Sequence, residues 1–397
     1  MTTRRNVVVI GGGYAGVMAA NRLTRRADVD VVLVNPRAQF VERIRLHQLL
    51  SQTYSPSHDF AELLAERVHL LVDSVTRIHP DERRLELASG GELGYDYLVY
   101  AAGSTSAGAQ VPGAAEHAQQ VGSLEEAQRL EAALHLLSTD DPITVVGGGP
   151  TAIETAAELA ERGHRVTLAA EALGATLHPR ARRWLARRMR RLGVHLLVGP
   201  GSRVTAVTAQ EVTLADGQPV RSALTVWAAG FGLPDLAARS GLSTDAMGRL
   251  RTDETLTSID SPHIVAAGDA AAPSGLPLRM SCQAAVQLGP QAAETVLGQI
   301  SGEPPRPIGV AFVALCLSLG RRAGLLQVTR RNDAALPVHV PGRGGALVKE
   351  LICSGTLAQL RFEARHPGRL DGWMSDPGRT RRLAVSSGAT QEMDPER

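Results

Sequence analysis

Apolar residues in this chain occur in short runs that end at glycine, and the same order of runs is found in two long blocks. In the first block, an apolar run from Asn6 to Ile10 is followed by a helical pattern from Val17 to Leu23 and by a second apolar run from Val29 to Val34. Short apolar runs between turn-forming residues are typical of buried strands. The order strand, helix, strand predicts a parallel sheet covered by helices.

The second block repeats this order. Apolar runs from Ile143 to Val146 and from Arg165 to Leu168 flank a helical pattern from Ile153 to Leu159. Each block then has a hairpin signal around glycine and closes on an apolar strand that ends in Ala-Ala-Gly, at Gly103 and at Gly230. Because chance does not readily produce the whole order twice, we predict an α/β fold with two Rossmann-like βαβ domains of the doubly wound type.

The first strand of each block ends in a glycine turn that can bind the pyrophosphate of a dinucleotide. In a G-x-G-x-x-G turn, the first glycine makes the tight bend, the second lets backbone amides approach the pyrophosphate, and the third allows close helix packing. The helix N-terminus adds positive potential. In the second turn, alanine takes the third place, which is an accepted variant. The predicted cofactor-binding residues of the two turns are Gly11, Gly13, Tyr14, Ala15 and Gly16, and Gly147, Gly149, Pro150, Thr151 and Ala152.

Residues after the second strand of each block are candidates to bind the ribose of the dinucleotide. In the first block, Asn35 stands where an acid would accept hydrogen bonds from the ribose hydroxyls, and an amide bonds them without charge assistance. In the second block, Glu171 comes one residue later than the usual acid and favours NADH by accepting from the 2′-hydroxyl. NADPH stays an alternative, because its 2′-phosphate could meet three arginines a few residues further on: Arg180, Arg182 and Arg183.

The segment TSIDSPHIVAAGD, residues 257–269, predicts a ligand site at the end of a strand. A strand from His263 to Ala267 leads into Gly268, where the missing side chain lets a ligand come close. It presents Asp269 at the carboxyl edge of the sheet, where ligands bind in doubly wound folds. The Ala-Ala-Gly ends of the two closing strands complete the predicted cofactor-binding residues with Ala102, Gly103 and Gly230.

In order and spacing, VVVIGGGYAG, VVGGGPTAIE and IVAAGDAA resemble the motifs of the pyridine-nucleotide-dependent flavoprotein reductases, over about residues 5–300. The resemblance implies that the first motif binds the ADP part of FAD and that the second binds NAD(P)H. It also implies that Asp269 holds the flavin ribitol.

We expect a chain divided in the manner of that superfamily, with a third domain of the kind that often forms homodimers. The residues beyond 375 are polar and rich in proline and glycine, which predicts a disordered tail. The predicted division is an FAD-binding domain of residues 1–111 and 236–303, an NAD(P)H-binding domain of residues 112–235, a small C-terminal interface domain of residues 304–375, and the tail of residues 376–397.

Within the superfamily, the chain lacks the redox dithiol of the disulfide reductases. Cys282, Cys316 and Cys353 are far apart in sequence, so neither a dithiol nor a metal site is predicted. The chain resembles type II NADH dehydrogenases and their apoptosis-inducing-factor-like relatives. GGGPTAIE resembles the GGGPTGVE of that group, whose glutamate lies near the flavin–nicotinamide stack, and this implies a catalytic role for Glu154.

Two further segments contain predicted catalytic residues. CQAAVQLG, residues 282–289, resembles a pattern associated with quinone access, and Gln283 and Gln287 share one helix face, where they could bond a carbonyl oxygen. The alternative is an interfacial helix with polar residues. In FVERIRLH, residues 40–47, Arg43 or His47 could stabilise the edge of reduced flavin where negative charge develops. The alternative is charge on a helix surface.

Together these features predict an FAD-dependent NAD(P)H oxidoreductase that passes hydride through the flavin to a quinone-like small molecule. We keep three alternatives: a tailoring flavoenzyme of specialised metabolism, a ferredoxin-type reductase, and a non-enzymatic NADH-sensing protein. The ferredoxin-type reductase would dock an acidic carrier on the cationic helix predicted from Pro179 to Leu192.

Charge and hydropathy exclude other classes of protein. A net charge of +2 is too small to indicate a nucleic-acid partner. The stretch from Ile308 to Leu319 is shorter than the roughly 18 apolar residues of a membrane span. The tail shows no apolar face, so we do not expect membrane attachment. The N-terminal apolar run stops at glycines and does not fit a signal peptide. We therefore expect a cytoplasmic protein with reduced cysteines.

Overall fold

In the computed structural model, which describes residues 4–108, 110–370 and 375–392, the first block forms a parallel sheet. The helices Tyr14–Leu23 and Cys282–Ser301 pack against each other and against strands of this sheet. One edge strand comes from beyond the second block, so the chain returns to the first sheet as predicted. The exact domain limits stay a prediction. The strands, in spatial order, are Ile264–Ala266, Tyr97–Tyr100, Arg5–Ile10, Val29–Asn35 and Val68–Val72.

The second block forms a second parallel sheet with the same central arrangement, in which the first strand pairs with the second and with the closing strand. Both sheets are parallel and carry helices, which confirms the predicted α/β class. The strands, in spatial order, are Ala118–Gln120, Leu224–Trp227, Pro142–Val146, Arg165–Ala170 and His195–Val198, and the main helices are Leu124–Leu134, Pro150–Glu161 and Pro179–Arg191.

Small antiparallel sheets carry the hairpins that the glycines predicted. A short ladder between Thr105–Ser106 and Phe231–Gly232 joins the ends of the two blocks, directly after their Ala-Ala-Gly segments. The three-stranded sheets are Val75–His79, Arg84–Leu87 and Glu92–Gly94, and Val204–Val207, Glu211–Leu214 and Pro219–Arg221. A further short antiparallel pair is Gln39–Val41 with Ser57–Asp59, whereas Leu250–Thr252 pairs with Ala271–Pro273 in parallel. The short helices are Arg43–Arg45, Leu46–Leu49, Phe60–Glu62, Ala114–His117, Pro200–Ser202, Leu236–Arg239 and Gly268–Ala270.

A third unit covers the junction of the two blocks. Its antiparallel sheet packs against the helix Gly342–Arg365, and its residues Leu317 and Leu325 are fully buried in the core of the second block. The helix is tied to the first block by a buried ion pair, in which Arg22 Nε donates to Glu363 Oε1 over 2.5 Å. The strands are Ala314–Ser318, Gly324–Thr329 and Ala335–Pro341.

The helix Arg379–Glu392 occupies the first part of the C-terminal segment that was predicted to be a disordered tail. Arg379 is only 5% exposed and donates two hydrogen bonds to the carboxylate of Glu254, at 2.7 and 2.8 Å. A bidentate pair of this kind offsets part of the entropy lost when the segment orders. Residues 393–397 lie outside the described residues. No helix within the described ranges is long and apolar enough to cross a membrane.

Candidate active site

The first glycine turn ends at an open helix N-terminus. Gly11 has φ of +100°, and a Cβ there would collide with the carbonyl oxygen of Ala101. A Cβ on Gly16 would collide with the carbonyl oxygen of Gly11. By contrast, nothing lies within 4 Å of a Cβ on Gly13, which caps the helix Tyr14–Leu23 without a side-chain hydrogen bond. The open space and the uncapped N-terminus suit a pyrophosphate.

Asp269, the predicted ribitol ligand, lies beside the N-terminus of the helix Cys282–Ser301. Its Oδ2 accepts from Ser104 Oγ at 2.7 Å, and its Oδ1 accepts from the Ser281 amide at 3.1 Å. The preceding Gly268 has φ of +69°, and a Cβ there would lie 2.9 Å from the Cβ of Ala15. The strand end therefore brings the carboxylate close to the first glycine turn, which itself includes the buried Ala15.

Asn35 and Arg43 form hydrogen bonds at the edge of the first sheet where the first glycine turn and Asp269 lie. Asn35 Oδ1 accepts from the Gly12 amide at 2.9 Å. Arg43 donates to the carbonyl oxygens of Ser104 and Gly122 at 2.8 and 3.0 Å. Ser104 thus links Arg43 to Asp269, directly after the predicted Ala102 and Gly103. Direct contacts of these side chains with a cofactor stay predictions, but an open turn and a carboxylate at this edge fit FAD.

Two cavities lie along the second glycine turn. The larger, about 470 Å³, is lined by Gly147, Gly149, Pro150 and Glu171 together with Arg203. The smaller, about 240 Å³, lies on the side of the first block. Both share the turn from Gly147 to Pro150, so an extended dinucleotide can run from one cavity into the other. The smaller cavity is lined by Arg43, Thr151, Trp227 and Gly230, among others.

The larger cavity bears on the choice between NADH and NADPH. Glu171 is exposed and lines this cavity, whereas none of the three candidate arginines does. These arginines belong to the helix Pro179–Arg191, which the structure places as predicted to within one residue. A carboxylate in the lining suits a ribose hydroxyl better than a phosphate.

A buried charged cluster lies where the three units meet. Glu154 Oε1 is 3.1 Å from the ammonium of Lys349 and accepts from the Ser318 amide at 2.8 Å. On its other side, Glu154 Oε2 is 3.6 Å from His47 Nδ1. The side chains of Lys349 and Glu154 are only 13% and 8% exposed. The cluster therefore joins the second glycine helix, Pro150–Glu161, to the first block and to the long helix Gly342–Arg365.

The surroundings set the protonation of this cluster. Burial is the largest single influence and would lower the pKa of Lys349, but Glu154 together with Cys353 and Cys282 outweighs it, and the pKa lies above its ordinary value. Burial lowers the pKa of His47 to about 4, and nearby Lys349 and Arg45 add to the shift against the pull of Glu154. At neutral pH, Lys349 is therefore an ammonium and His47 is neutral.

The three cysteines lie around Lys349 and are free thiols. Burial raises the pKa of Cys316 to about 11 and that of Cys353 to about 12, and it also raises the pKa of Cys282. A thiolate is the reactive form of cysteine, so these groups are not poised as nucleophiles at neutral pH. This agrees with the absence of a redox dithiol from the sequence.

Sequence reasoning missed Lys349. The chain has 42 basic residues, and Lys349 is the only lysine among them. A residue type that occurs once in the chain stands out in the composition. That count was the available signal. It could not show the pairing with Glu154, because the two residues are nearly two hundred positions apart.

Gln283 and Gln287 bond the protein backbone, and their predicted catalytic roles stay predictions. Gln287 is 1% exposed, and its amide group exchanges hydrogen bonds with the backbone of Ala311 at 3.1 and 3.2 Å. The amide of Gln283 is placed to pair with the backbone of Val313 and Ala314 in the same way. Both side chains bind the segment that leads into the strand Ala314–Ser318 of the third sheet. A direct hydrogen bond to an acceptor would have to break these contacts, so the interfacial alternative fits better.

Two dinucleotide folds joined at a buried cluster define an FAD-dependent NAD(P)H oxidoreductase. The model of the family described as "Pyridine nucleotide-disulphide oxidoreductase" matches residues 5–292, and the chain belongs to this family, near the type II NADH dehydrogenases. The family confirms the predicted use of FAD and NAD(P)H.

Individual relatives agree with this assignment. The chain is 31% identical to an NADH dehydrogenase-like protein of Mycobacterium tuberculosis, over 79% of this chain and 85% of that one. It is 28% identical to a demethylphylloquinone reductase of Synechocystis, over 88% and 91%. The structure of NDH2 from Plasmodium falciparum in complex with NADH has the same fold, with a TM-score of 0.76 and 15% identity, over 91% of this chain and 97% of that one.

Proposed function

We propose that the oxidoreductase uses NADH to reduce a quinone-like small molecule to the corresponding quinol. The observation that carries the proposal is the buried pair of Lys349 and Glu154 among protonated thiols. A quinone that accepts hydride on one oxygen or ring carbon must also gain a proton, and an ammonium can give it. A disulfide acceptor would need a thiolate, which burial disfavours here. The demethylphylloquinone reductase among the relatives supports the same class of acceptor.

FAD, when bound, accepts hydride from the nicotinamide and passes two electrons to the acceptor. The chain positions the reactants and supplies the proton. Lys349 Nζ holds a proton next to the acceptor, and Glu154 keeps the ammonium charged and oriented. The Ser318 amide donates to the same carboxylate oxygen that faces Lys349 and fixes its position. Neutral His47 completes the lining without adding a second positive charge that would weaken Lys349 as a cation.

NADH is the proposed donor because Glu171 lines the larger cavity. We propose that the reaction takes place in the cytoplasm. The test is turnover of the FAD-loaded enzyme with each donor against water-soluble quinones, oxygen and a small disulfide. We expect NADH with quinone to exceed every other pairing. Quinone turnover no faster than the reaction with oxygen would overturn the proposal.

The helix Pro179–Arg191 favours a second candidate, reduction of an acidic electron-carrier protein. It contains seven arginines and no acid, and within the described part of the chain these arginines form no ion pair. Such a surface attracts an acidic partner. Reduction of added ferredoxin that slows with increasing salt and with Arg187→Ala would support this candidate. Ferredoxin reduction no faster than background would dismiss it.

A further inference from the structure

Glu158 is a buried carboxyl group that the proposed reaction does not yet use. It is 1% exposed and lies on the helix Pro150–Glu161, one turn after Glu154 and one turn before the exposed Glu161. Residues spaced by three or four lie on one face of a helix, so the three carboxylates form a row from the centre of the molecule to its surface. Burying an acid without a cationic partner costs free energy, which calls for an explanation.

A chain of hydroxyl groups connects Glu158 to solvent. Ser51 Oγ donates to Glu158 Oε1 over 2.6 Å. Ser51 Oγ is also 2.8 Å from Thr53 Oγ1, and Thr53 is exposed. A hydroxyl both donates and accepts, so it can take a proton on one side and release one on the other. Thr53, Ser51 and Glu158 are therefore connected in the order that inward proton transfer requires.

The inner end of this row faces the charged cluster. Two buried atoms there, Glu158 Oε2 and His47 Nε2, form no hydrogen bond with any described residue. His47 belongs to the short helix Leu46–Leu49, which packs against the helix that carries Glu158 and Glu154. The carboxyl group of Glu158 thus has one oxygen bonded to the hydroxyl chain and one buried oxygen without a hydrogen-bond partner among the described residues.

We propose that Thr53, Ser51 and Glu158 form a proton path that leads through Glu154 to Lys349. The inference rests on the proposed function, because only an acceptor that takes up protons needs a path. NADH supplies two electrons and one proton as hydride, and quinol formation consumes one further proton. That proton leaves Lys349 Nζ for the acceptor oxygen. Lys349 regains it from solvent through the carboxyl groups and the hydroxyl chain.

The charges around Glu158 suit a group that alternates between two protonation states. Burial raises the pKa of Glu158, Ser51 and Arg321 pull it down, and Glu161 and Glu154 raise it further. Arg321 lies on the turn after the strand Ala314–Ser318, and the two acids lie on the same helix as Glu158. A buried carboxyl whose pKa moves toward neutrality exchanges protons more readily than an exposed one.

The test replaces Glu158 by glutamine in the FAD-loaded enzyme, which keeps the shape and removes the titrating proton. Reduction of the flavin by NADH consumes no proton from the path, so its rate should not change. Turnover with ferricyanide, which accepts electrons alone, should not change either. Quinone turnover should fall by at least about tenfold, with a larger solvent isotope effect. Glu211→Gln, which neutralises a partly exposed carboxylate in the hairpin strand Glu211–Leu214, serves as the matched control.

A pair of substitutions at Ser51 separates proton transfer from folding. Ser51→Ala removes the relaying hydroxyl and should lower quinone turnover selectively, whereas Ser51→Thr keeps a hydroxyl and should retain most of it. If Glu158→Gln loses ferricyanide turnover as well, the comparison of Ser51→Ala with Ser51→Thr becomes the deciding test. Equal quinone turnover in these two variants would then overturn the proton path. Wild-type quinone rates and isotope effects in Glu158→Gln also overturn it. A wild-type enzyme that reduces no quinone would instead refute the proposed function.

Discussion

Replacing Lys349 by methionine should separate the stabilising role of the buried cluster from its chemical role. The ammonium and the Glu154 carboxylate are 3.1 Å apart and both largely buried. At an effective dielectric constant of about 20, Coulomb's law gives an attraction of about 5 kcal/mol. Much of this only offsets the desolvation of both groups, but the substitution leaves Glu154 without its cation. We therefore expect the free energy of unfolding to fall by about 3 kcal/mol.

The double variant Lys349→Met/Glu154→Gln makes the test sharper. A neutral pair of similar volume leaves no uncompensated charge, so most of the lost stability should return. Quinone turnover should not return, because neither residue can then supply a proton. Urea denaturation of the FAD-loaded enzyme at neutral pH measures the first quantity and steady-state assays the second. A Lys349→Met variant as stable as the wild type, or a double variant less stable than the single one, would refute the reasoning.

Other predictions concern the cofactor, the interfaces and pH. Glu171→Gln should reduce the preference for NADH over NADPH by about tenfold in kcat/KM, since one charge-assisted hydrogen bond is lost, and unchanged ratios would remove Glu171 from the donor site. Glu363→Ala removes the fully buried carboxylate that pairs with Arg22 and should lower the free energy of unfolding by about 3 kcal/mol in urea titrations. Because the pKa of His47 falls from 6.5 to about 4 on folding, its contribution to stability is present above about pH 6.5 and is lost as pH falls toward 4. The unfolding free energy of His47→Gln should therefore fall less steeply than that of the wild type over this range, and parallel curves would contradict the buried neutral imidazole.

The fold could be predicted well because its signals are local. Apolar runs that end at Gly11 and Gly147 predict a strand and a turn from only a few residues each. The repeated order of strands and helices then predicts the two sheets. The carboxylate of Asp269 could be placed for the same reason, since it follows directly after a strand. Family resemblance then identified Glu154, whose motif is also local.

The remaining features depend on contacts between distant parts of the chain. The partner of Glu154 is a lysine in the third unit, and the hydroxyl chain to Glu158 starts in a loop of the first block. No periodic pattern in the sequence predicts either contact. The glutamines of the helix Cys282–Ser301 show the same limit: their spacing suggested ligand binding, and the bonds of the Gln287 amide to the backbone of Ala311 could not be read from any local pattern. The polar composition of the C-terminal segment likewise could not reveal the pair of Arg379 and Glu254.

The most direct test of the central claim is the reoxidation of NADH-reduced enzyme by a water-soluble quinone, followed by flavin absorbance in a double-mixing stopped flow, for the wild type and for Lys349→Met. We predict rapid reoxidation of the wild type, a rate constant at least about tenfold lower for Lys349→Met, and equal rates for the two proteins with ferricyanide. Equal quinone rates in both proteins would contradict proton supply by Lys349, and no reoxidation of the wild type by quinone would contradict the proposed acceptor.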